Sequence, residues 1–156
     1  MLLDFRFTNF RSFRDEAVFS LAASADTTLE STHTRPTGLE KVKRILTSAA
    51  IYGANASGKS NVIRALQFMQ LMVMTSNQIQ PDQESTLTPF RMRPDFADHP
   101  TLFEATFLIE GVRYQYGFEM NRRQILGEWL LVYERAKPQV WFSRTYNAKK
   151  AKYDYT

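Results

Sequence analysis

The chain has 156 residues and a mass of 18.1 kDa, with 44% hydrophobic, 13% aromatic and 23% charged residues, the make-up of one folded domain or one lobe of a larger one and not of a disordered chain. Apolar stretches run to only a few residues against the roughly 20 that span a bilayer, and there is no cysteine, so membrane insertion, disulfides, thiolate metal sites and thiol nucleophiles are excluded and a cytoplasmic setting is expected. The net charge of +4 and pI near 9.4 admit an anionic partner without requiring nucleic acid.

Met1 to Phe10 alternates, with Leu3, Phe5 and Phe7 on one face, which predicts a half-buried strand. Ala17 to Ala22 reads as its hairpin partner. Residues 23–40 lose periodicity and fill with Ser, Thr, Pro and Gly, as in a loop, and His33 lies there; like His99, it stands in a polar context that argues against zinc chemistry. Ile45 to Tyr52 is a short apolar run ending at a glycine, the pattern of a strand buried on both faces. A helix follows, with Val62, Leu66, Met69 and Val73 as its core stripe and Ile63, Gln70 and Met74 on the flank. Residues 77–100 form a long connection. Two period-two runs, 101–109 and 112–120, flank Glu110-Gly111 and predict a β-hairpin. Further strands are expected at 128–135 and 140–146. From Arg135 onward six basic residues (Arg135, Lys137, Arg144, Lys149, Lys150, Lys152) face one acid, Asp154. That end reads either as a solvated basic edge or, with Tyr146, Tyr153 and Tyr155 interleaved, as a nucleic-acid surface.

Between the apolar run and the helix stands Gly53-Ala54-Asn55-Ala56-Ser57-Gly58-Lys59-Ser60, a full match to the P-loop pattern G-x-x-x-x-G-K-[ST]. Each fixed residue has a reason. Gly53 and Gly58 permit backbone conformations closed to other residues, so that successive N–H groups turn toward an anion. The helix start adds unpaired N–H groups and the positive end of its dipole. Lys59 carries a mobile charge to the β- and γ-phosphates, and the Ser60 hydroxyl is suited to Mg²⁺. The expected ligands are therefore ATP and Mg²⁺.

The segment GANASGKSN resembles the P-loop of ABC-type ATPase heads of the SMC and RecF sort, and the opening LLDFRFTNFRSF resembles their first strand with its Asn-Phe-Arg-Ser-Phe turn. Together with TLFEATFLIEGVRYQYGFEM and GEWLLVYER, these segments are similar to bacterial AAA-family ATPases of anti-phage and abortive-infection systems, including overcoming-lysogenization-defect heads. The resemblance implies an α/β P-loop fold, an ABC-like N-terminal lobe with residues 1–78 holding the hairpin and the P-loop unit and 79–156 a β-meander. It also implies phosphate contacts from Asn55, Ala56, Ser57, Gly58, Lys59, Ser60 and Asn61, with a further contact from Arg11, which otherwise reads as an ordinary turn residue. A homodimer formed through nucleotide and a separate nuclease or toxin effector come with it.

Hydrolysis in such heads also needs an apolar strand ending in an Asp-Glu pair, a Ser-Gly signature and a switch histidine. Here the one Ser-Gly dipeptide is Ser57-Gly58, and Glu110 and Glu134 read as ordinary strand ends. The rest of the head is therefore expected to be missing from this sequence, and the chain alone to bind nucleotide weakly and hydrolyse little. From a different class comes the alternative of a non-hydrolysing module that holds nucleotide and binds a protein or nucleic-acid partner.

Overall fold

A computed structural model of the chain describes residues 1–76, 84–93, 96–134 and 137–156. Arg135, which opens the basic stretch noted above, and residues 77–83 of the long connection lie outside the described residues. The architecture is mixed α/β and dominated by one antiparallel sheet of seven strands in the order β2-β1-β5-β6-β7-β8-β9. Its members are β1 (Leu2–Thr8), β2 (Ala17–Ser20), β5 (Thr101–Ile109), β6 (Val112–Met120), β7 (Ile125–Tyr133), β8 (Gln139–Asn147) and β9 (Lys152–Tyr155). A two-stranded ribbon pairs β3 (Thr34–Pro36) with β4 (Arg44–Leu46). The helices are α1 (Glu30–His33), a single turn, and α2 (Lys59–Thr75). Among the described residues no helix is long and apolar enough to cross a membrane.

Alternation in the sequence becomes burial in the sheet. Leu3, Phe5 and Phe7 of β1 are all buried, and β1 adds to the later strands through Phe7↔Phe103 and Phe5↔Ala105. The hairpin of β5 and β6 keeps unbroken register from Thr101↔Met120 to Ile109↔Val112. Its turn residues, Glu110 (φ 50°) and Gly111 (φ 82°), are both left-handed, the pair of conformations that lets a two-residue turn follow the twist of the strands. Glu110 is thus a turn residue, and Glu134 follows the end of β7.

α2 lies across the β1, β5 and β6 part of the sheet, and phenylalanines make the joint. Phe68 of the helix sits 5.2 Å from Phe103 and 5.9 Å from Phe10, and Phe103 continues to Phe118 at 5.5 Å, centroid to centroid. Burying each such ring contributes about 2–3 kcal/mol. The stripe that faces the sheet is Ala65, Phe68, Met69 and Met72, not the expected Val62, Leu66, Met69 and Val73. Only Met69 is common to both; Val62 and Leu66 are partly buried at the margin, and Val73 is 56% exposed. Ala65 in this stripe is fully buried.

Four other expectations need correction. Residues 45–52 do not form a central strand: β4 stops at Leu46 and pairs with β3 in the separate ribbon, and Tyr52 is 89% exposed. No neighbouring strand among the described residues offers backbone groups to Ser48–Tyr52, so an apolar run lies in irregular structure there. Residues 23–40, read as loop, contain α1 and β3. The strand expected at 128–135 begins earlier, at Ile125, and a further strand, β9, follows β8.

On the sheet, Tyr116 donates to Glu128 Oε1 at 2.7 Å, and Arg144 Nε donates to Glu128 Oε2 at 2.6 Å. Burial first, and then the hydrogen bond and charge of Glu128, push the Tyr116 phenol far above its ordinary value of 10.0. A raised folded value means that the unfolded chain loses its proton first. The stabilisation is complete below pH 10.0 and is lost as pH climbs above it. Urea melts at about pH 9 and about pH 11 should therefore show an alkaline loss of stability that Tyr116→Phe reduces. An unchanged alkaline slope in the variant would contradict the assignment.

Candidate functional site

The loop from Gly53 to Ser60 runs directly into α2. Gly58 is the residue before the first helical position and is left-handed, with φ 92° and ψ 2°. Ala56 is left-handed as well, at φ 63°, a conformation that costs a residue with a Cβ about 1–2 kcal/mol. Left-handed residues spaced in this way turn successive N–H groups toward one concave side. The first N–H groups of α2 have no intrahelical acceptor, so the loop and the helix end together form a set of donors with a positive dipole behind it.

Side chains hold that backbone in place. A Cβ on Gly53 would stand 2.7 Å from Ser57 Oγ, so a side chain at the entrance of the loop would force the Ser57 hydroxyl to turn aside. Lys59 reaches back over the loop and donates from Nζ to the carbonyls of Gly53 and Ala54, both at 2.7 Å. An ammonium group has three donors; two tie the loop's exit to its entrance, and one remains with the charge. Asn55, Ala56, Ser57 and Ser60 are exposed around the lysine.

The turn after β1 supports the loop from the other side. Ser12 Oγ lies 2.9 Å, and two carbons of the Phe13 ring 3.2 Å, from where a Cβ on Gly58 would be. Asn61, expected to touch phosphate, spends its side chain on this joint: Nδ2 donates to Ser12 Oγ at 2.8 Å, and Oδ1 accepts from Arg64 at 3.1 Å. Sequence reasoning missed Ser12 and Phe13 as supports of the loop. The signal was present in the Asn-Phe-Arg-Ser-Phe run, where only the arginine drew notice.

Arg11 sits apart from the lysine. It is left-handed at φ 53°, its N–H donates to the Thr88 carbonyl at 2.9 Å, and its guanidinium lies over the Phe10 ring at 5.5 Å. Its Nε is buried without an acceptor, and with Arg64, Gln67 and Thr86 it lines a cleft of about 260 Å³ on the flank of α2. The structure thus brings Gly53, Ser57, Gly58 and Lys59 together and leaves Arg11 along the helix. Among the described residues there is no cluster of three or more His, Asp or Glu side chains able to hold a metal ion.

No curated protein matches the chain. The family described as "AAA domain, putative AbiEii toxin, Type IV TA system" matches residues 48–152, which take in the whole loop, α2 and strands β5 to β8. That match spans about two thirds of the chain, and together with a glycine-bounded, lysine-closed loop at the head of the one long helix among the described residues it places this protein: the chain belongs to this family of AAA domains.

Proposed function

We propose that the loop from Gly53 to Ser60 binds ATP with Mg²⁺, and that the chain acts as part of an ABC/SMC-like ATPase head that hydrolyses ATP only as a complete dimer, in phage defence or DNA transactions. The observation that carries the reading is the left-handed Gly58 directly before Lys59, with the ammonium fixed over the loop's entrance. The donor set suits a triphosphate. Backbone N–H groups at residues 56 and 58–60 would take the β-phosphate oxygens, the Ser57 N–H already donating to the Ala54 carbonyl at 3.3 Å; Lys59 would neutralise charge shared by the β- and γ-phosphates, and Ser60 would supply a hydroxyl to the metal. Magnesium commonly takes one or two protein ligands beside phosphate and water, so the lack of an acidic cluster among the described residues does not oppose it. Arg11 and Asn61 play lesser parts in this reading: Asn61 holds the loop's support, and Arg11 offers a positive charge on the flank of α2.

The outward side of the loop and helix fits a larger head. Ile63, Val73 and Met74 of α2 are exposed, as are Ile51 and Tyr52 just before the loop. Exposed apolar side chains at the head and tail of α2 and before the loop leave room for further structure to pack there. A toxin–antitoxin or abortive-infection role follows the family's description, and the effector and a nucleotide-linked homodimer follow the resemblance to ABC-type heads.

The test is a titration of the chain with a fluorescent ATP analogue and Mg²⁺, with sedimentation run on the same samples. Saturable, magnesium-dependent binding with a nucleotide-driven shift to dimer is expected. Binding without any change in size would favour the alternative, a non-hydrolysing module that holds nucleotide for stability. No binding at millimolar nucleotide would sink both.

A further inference from the structure

The whole of the net charge resides in the last strands. Residues 137–156 carry five basic side chains, Lys137, Arg144, Lys149, Lys150 and Lys152, against the single acid Asp154, a balance of +4 that equals the net charge of the entire chain. Everything before them is neutral on balance. The same twenty residues hold five aromatic rings, at Trp141, Phe142, Tyr146, Tyr153 and Tyr155.

Folding gathers four of these rings into one row. Tyr146 meets Tyr153 at 5.4 Å, Tyr153 meets Tyr155 at 6.3 Å, and Tyr155 meets Phe142 at 6.5 Å across β8 and β9. A register shift in the β7–β8 ladder falls between Leu130 and Leu131, opposite Phe142 and Val140, and Trp141 beside it makes an edge contact with Tyr114 at 5.8 Å. The core that α2 seals involves β1, β5 and β6 and reaches no further than Ile125 at the start of β7. Beyond it Phe142, Tyr146 and Tyr153 are half-buried, while Tyr155 at 65% and the neighbouring Trp141 at 56% are exposed.

Two of the five cations are spent within the protein. Arg144 lies over the Tyr153 ring at 4.9 Å while bonding Glu128, and Lys150 pairs with Asp154 at 3.3 Å. Lys137, Lys149 and Lys152 are exposed and have no ion-pair partner among the described residues. Lys149 sits in the β8–β9 turn and Lys152 opens β9, at one end of the ring row. Open rings toward the far end of β8 and β9, with Lys137 before β8 and the uncommitted Lys149 and Lys152 at the turn, suit a strand that runs along the two β-strands with its bases free to stack and its phosphates tracking the charge. A protein partner is less well matched, because the centres of protein interfaces are depleted in lysine. A duplex hides the base faces that the rings would take.

We infer that the β8–β9 end of the sheet, through Trp141, Tyr155 and the lysines at its turn, binds single-stranded nucleic acid. The site is separate from the nucleotide loop and does not rest on that loop's function. The probe is a labelled oligothymidylate of about 15 nucleotides, the upper range of one such site, followed by fluorescence anisotropy with the whole chain and no ATP. Binding should be saturable. Its log affinity should fall linearly with log salt at a slope near −2, as roughly three phosphate contacts on a single strand require. Trp141→Ala and Tyr155→Ala should each weaken it about 5- to 150-fold with thermal melts unchanged, both rings being exposed. Excess ATP with Mg²⁺ should displace nothing.

Four results would overturn the inference. One is no binding at low salt; another is displacement by ATP, which would put the oligonucleotide's phosphates in the loop. A third is full affinity in both ring variants with loss only in Lys149→Glu/Lys152→Glu, which would reduce the surface to bare charge attraction. The last is self-association without oligonucleotide that the ring variants abolish, which would make the row an interface between copies of the chain.

Discussion

Asn9→Ala should lower the stability of the chain by about 4 kcal/mol, measured by urea unfolding of the purified protein. Asn9 is polar and yet 3% exposed, and its side chain serves as a hub. Nδ2 donates to the carbonyls of Phe96, His99 and Pro100 at 3.2, 2.7 and 3.3 Å, and Oδ1 accepts from the Phe90 N–H at 3.0 Å. Its backbone carbonyl takes the Thr101 hydroxyl at 2.8 Å. One residue at the end of β1 therefore fixes the segment that leads into β5. Alanine would strand those groups, and each buried group left unpaired costs about 1–3 kcal/mol.

The backbone adds a second cost, because Asn9 is left-handed at φ 50°, where asparagine is tolerated and alanine costs about 1–2 kcal/mol. Asn9→Gly separates the two effects. It keeps the conformation while losing the bonds, so it should recover about 1 kcal/mol of the alanine loss. A loss below about 1 kcal/mol in the alanine variant would show that water replaces the side chain and that the hub is not structural.

The reason Asn9 escaped sequence reading also explains what else did. Period-two alternation reports which face a residue occupies, and turn chemistry reports where a strand reverses. Both signals were strong around Glu110-Gly111, and the hairpin was legible to the residue. Neither signal says which strand lies beside which. The pairing of β1 with β5 joins residues about a hundred positions apart, and nothing local encodes it except buried phenylalanines that any sheet would accept. Asn9 matters because of that pairing, and so it is invisible without it.

The helix shows a different limit. Residues 62, 66, 69 and 73 and residues 65, 68, 69 and 72 are two apolar stripes on neighbouring faces of α2. Periodicity alone ranks the bulkier set first. The sheet took the set containing Phe68, whose ring packs against Phe103 and Phe10. The segment before the loop failed for a third reason: apolar content over 45–52 predicts burial only if a partner is at hand, and the partners of β4, the short strand β3 and residues 21–23, reach no further than Leu46. The loop itself was legible because its residues are dictated by local backbone geometry. Arg11 and Asn61 were assigned from a resemblance, and their side chains answer to tertiary neighbours that the motif does not contain.

Two substitutions at adjacent positions should separate the chemistry of the loop from its architecture. Lys59→Ala should weaken binding of the fluorescent ATP analogue about a hundredfold, since a charge-assisted contact to phosphate is lost, while changing stability by less than about 1 kcal/mol, because its two carbonyl partners lie in an exposed loop and turn to water. Gly58→Ala should cost both. At φ 92° an added Cβ brings left-handed strain of about 1–2 kcal/mol, and it would also press on Ser12 Oγ and the Phe13 ring at 2.9 and 3.2 Å. Relief by rotating the peptide would turn N–H groups away from the anion and pull on the Asn61–Ser12 bond. The expected result is a stability loss of about 2–3 kcal/mol with nucleotide affinity reduced at least as far as in Lys59→Ala. Adding Ser12→Gly to Gly58→Ala removes part of the steric contact but none of the backbone strain, so it should restore part of the stability and little of the affinity. If Gly58→Ala binds nucleotide as well as the unaltered chain does, the left-handed turn before Lys59 is not what shapes the site, and the reading built on it fails.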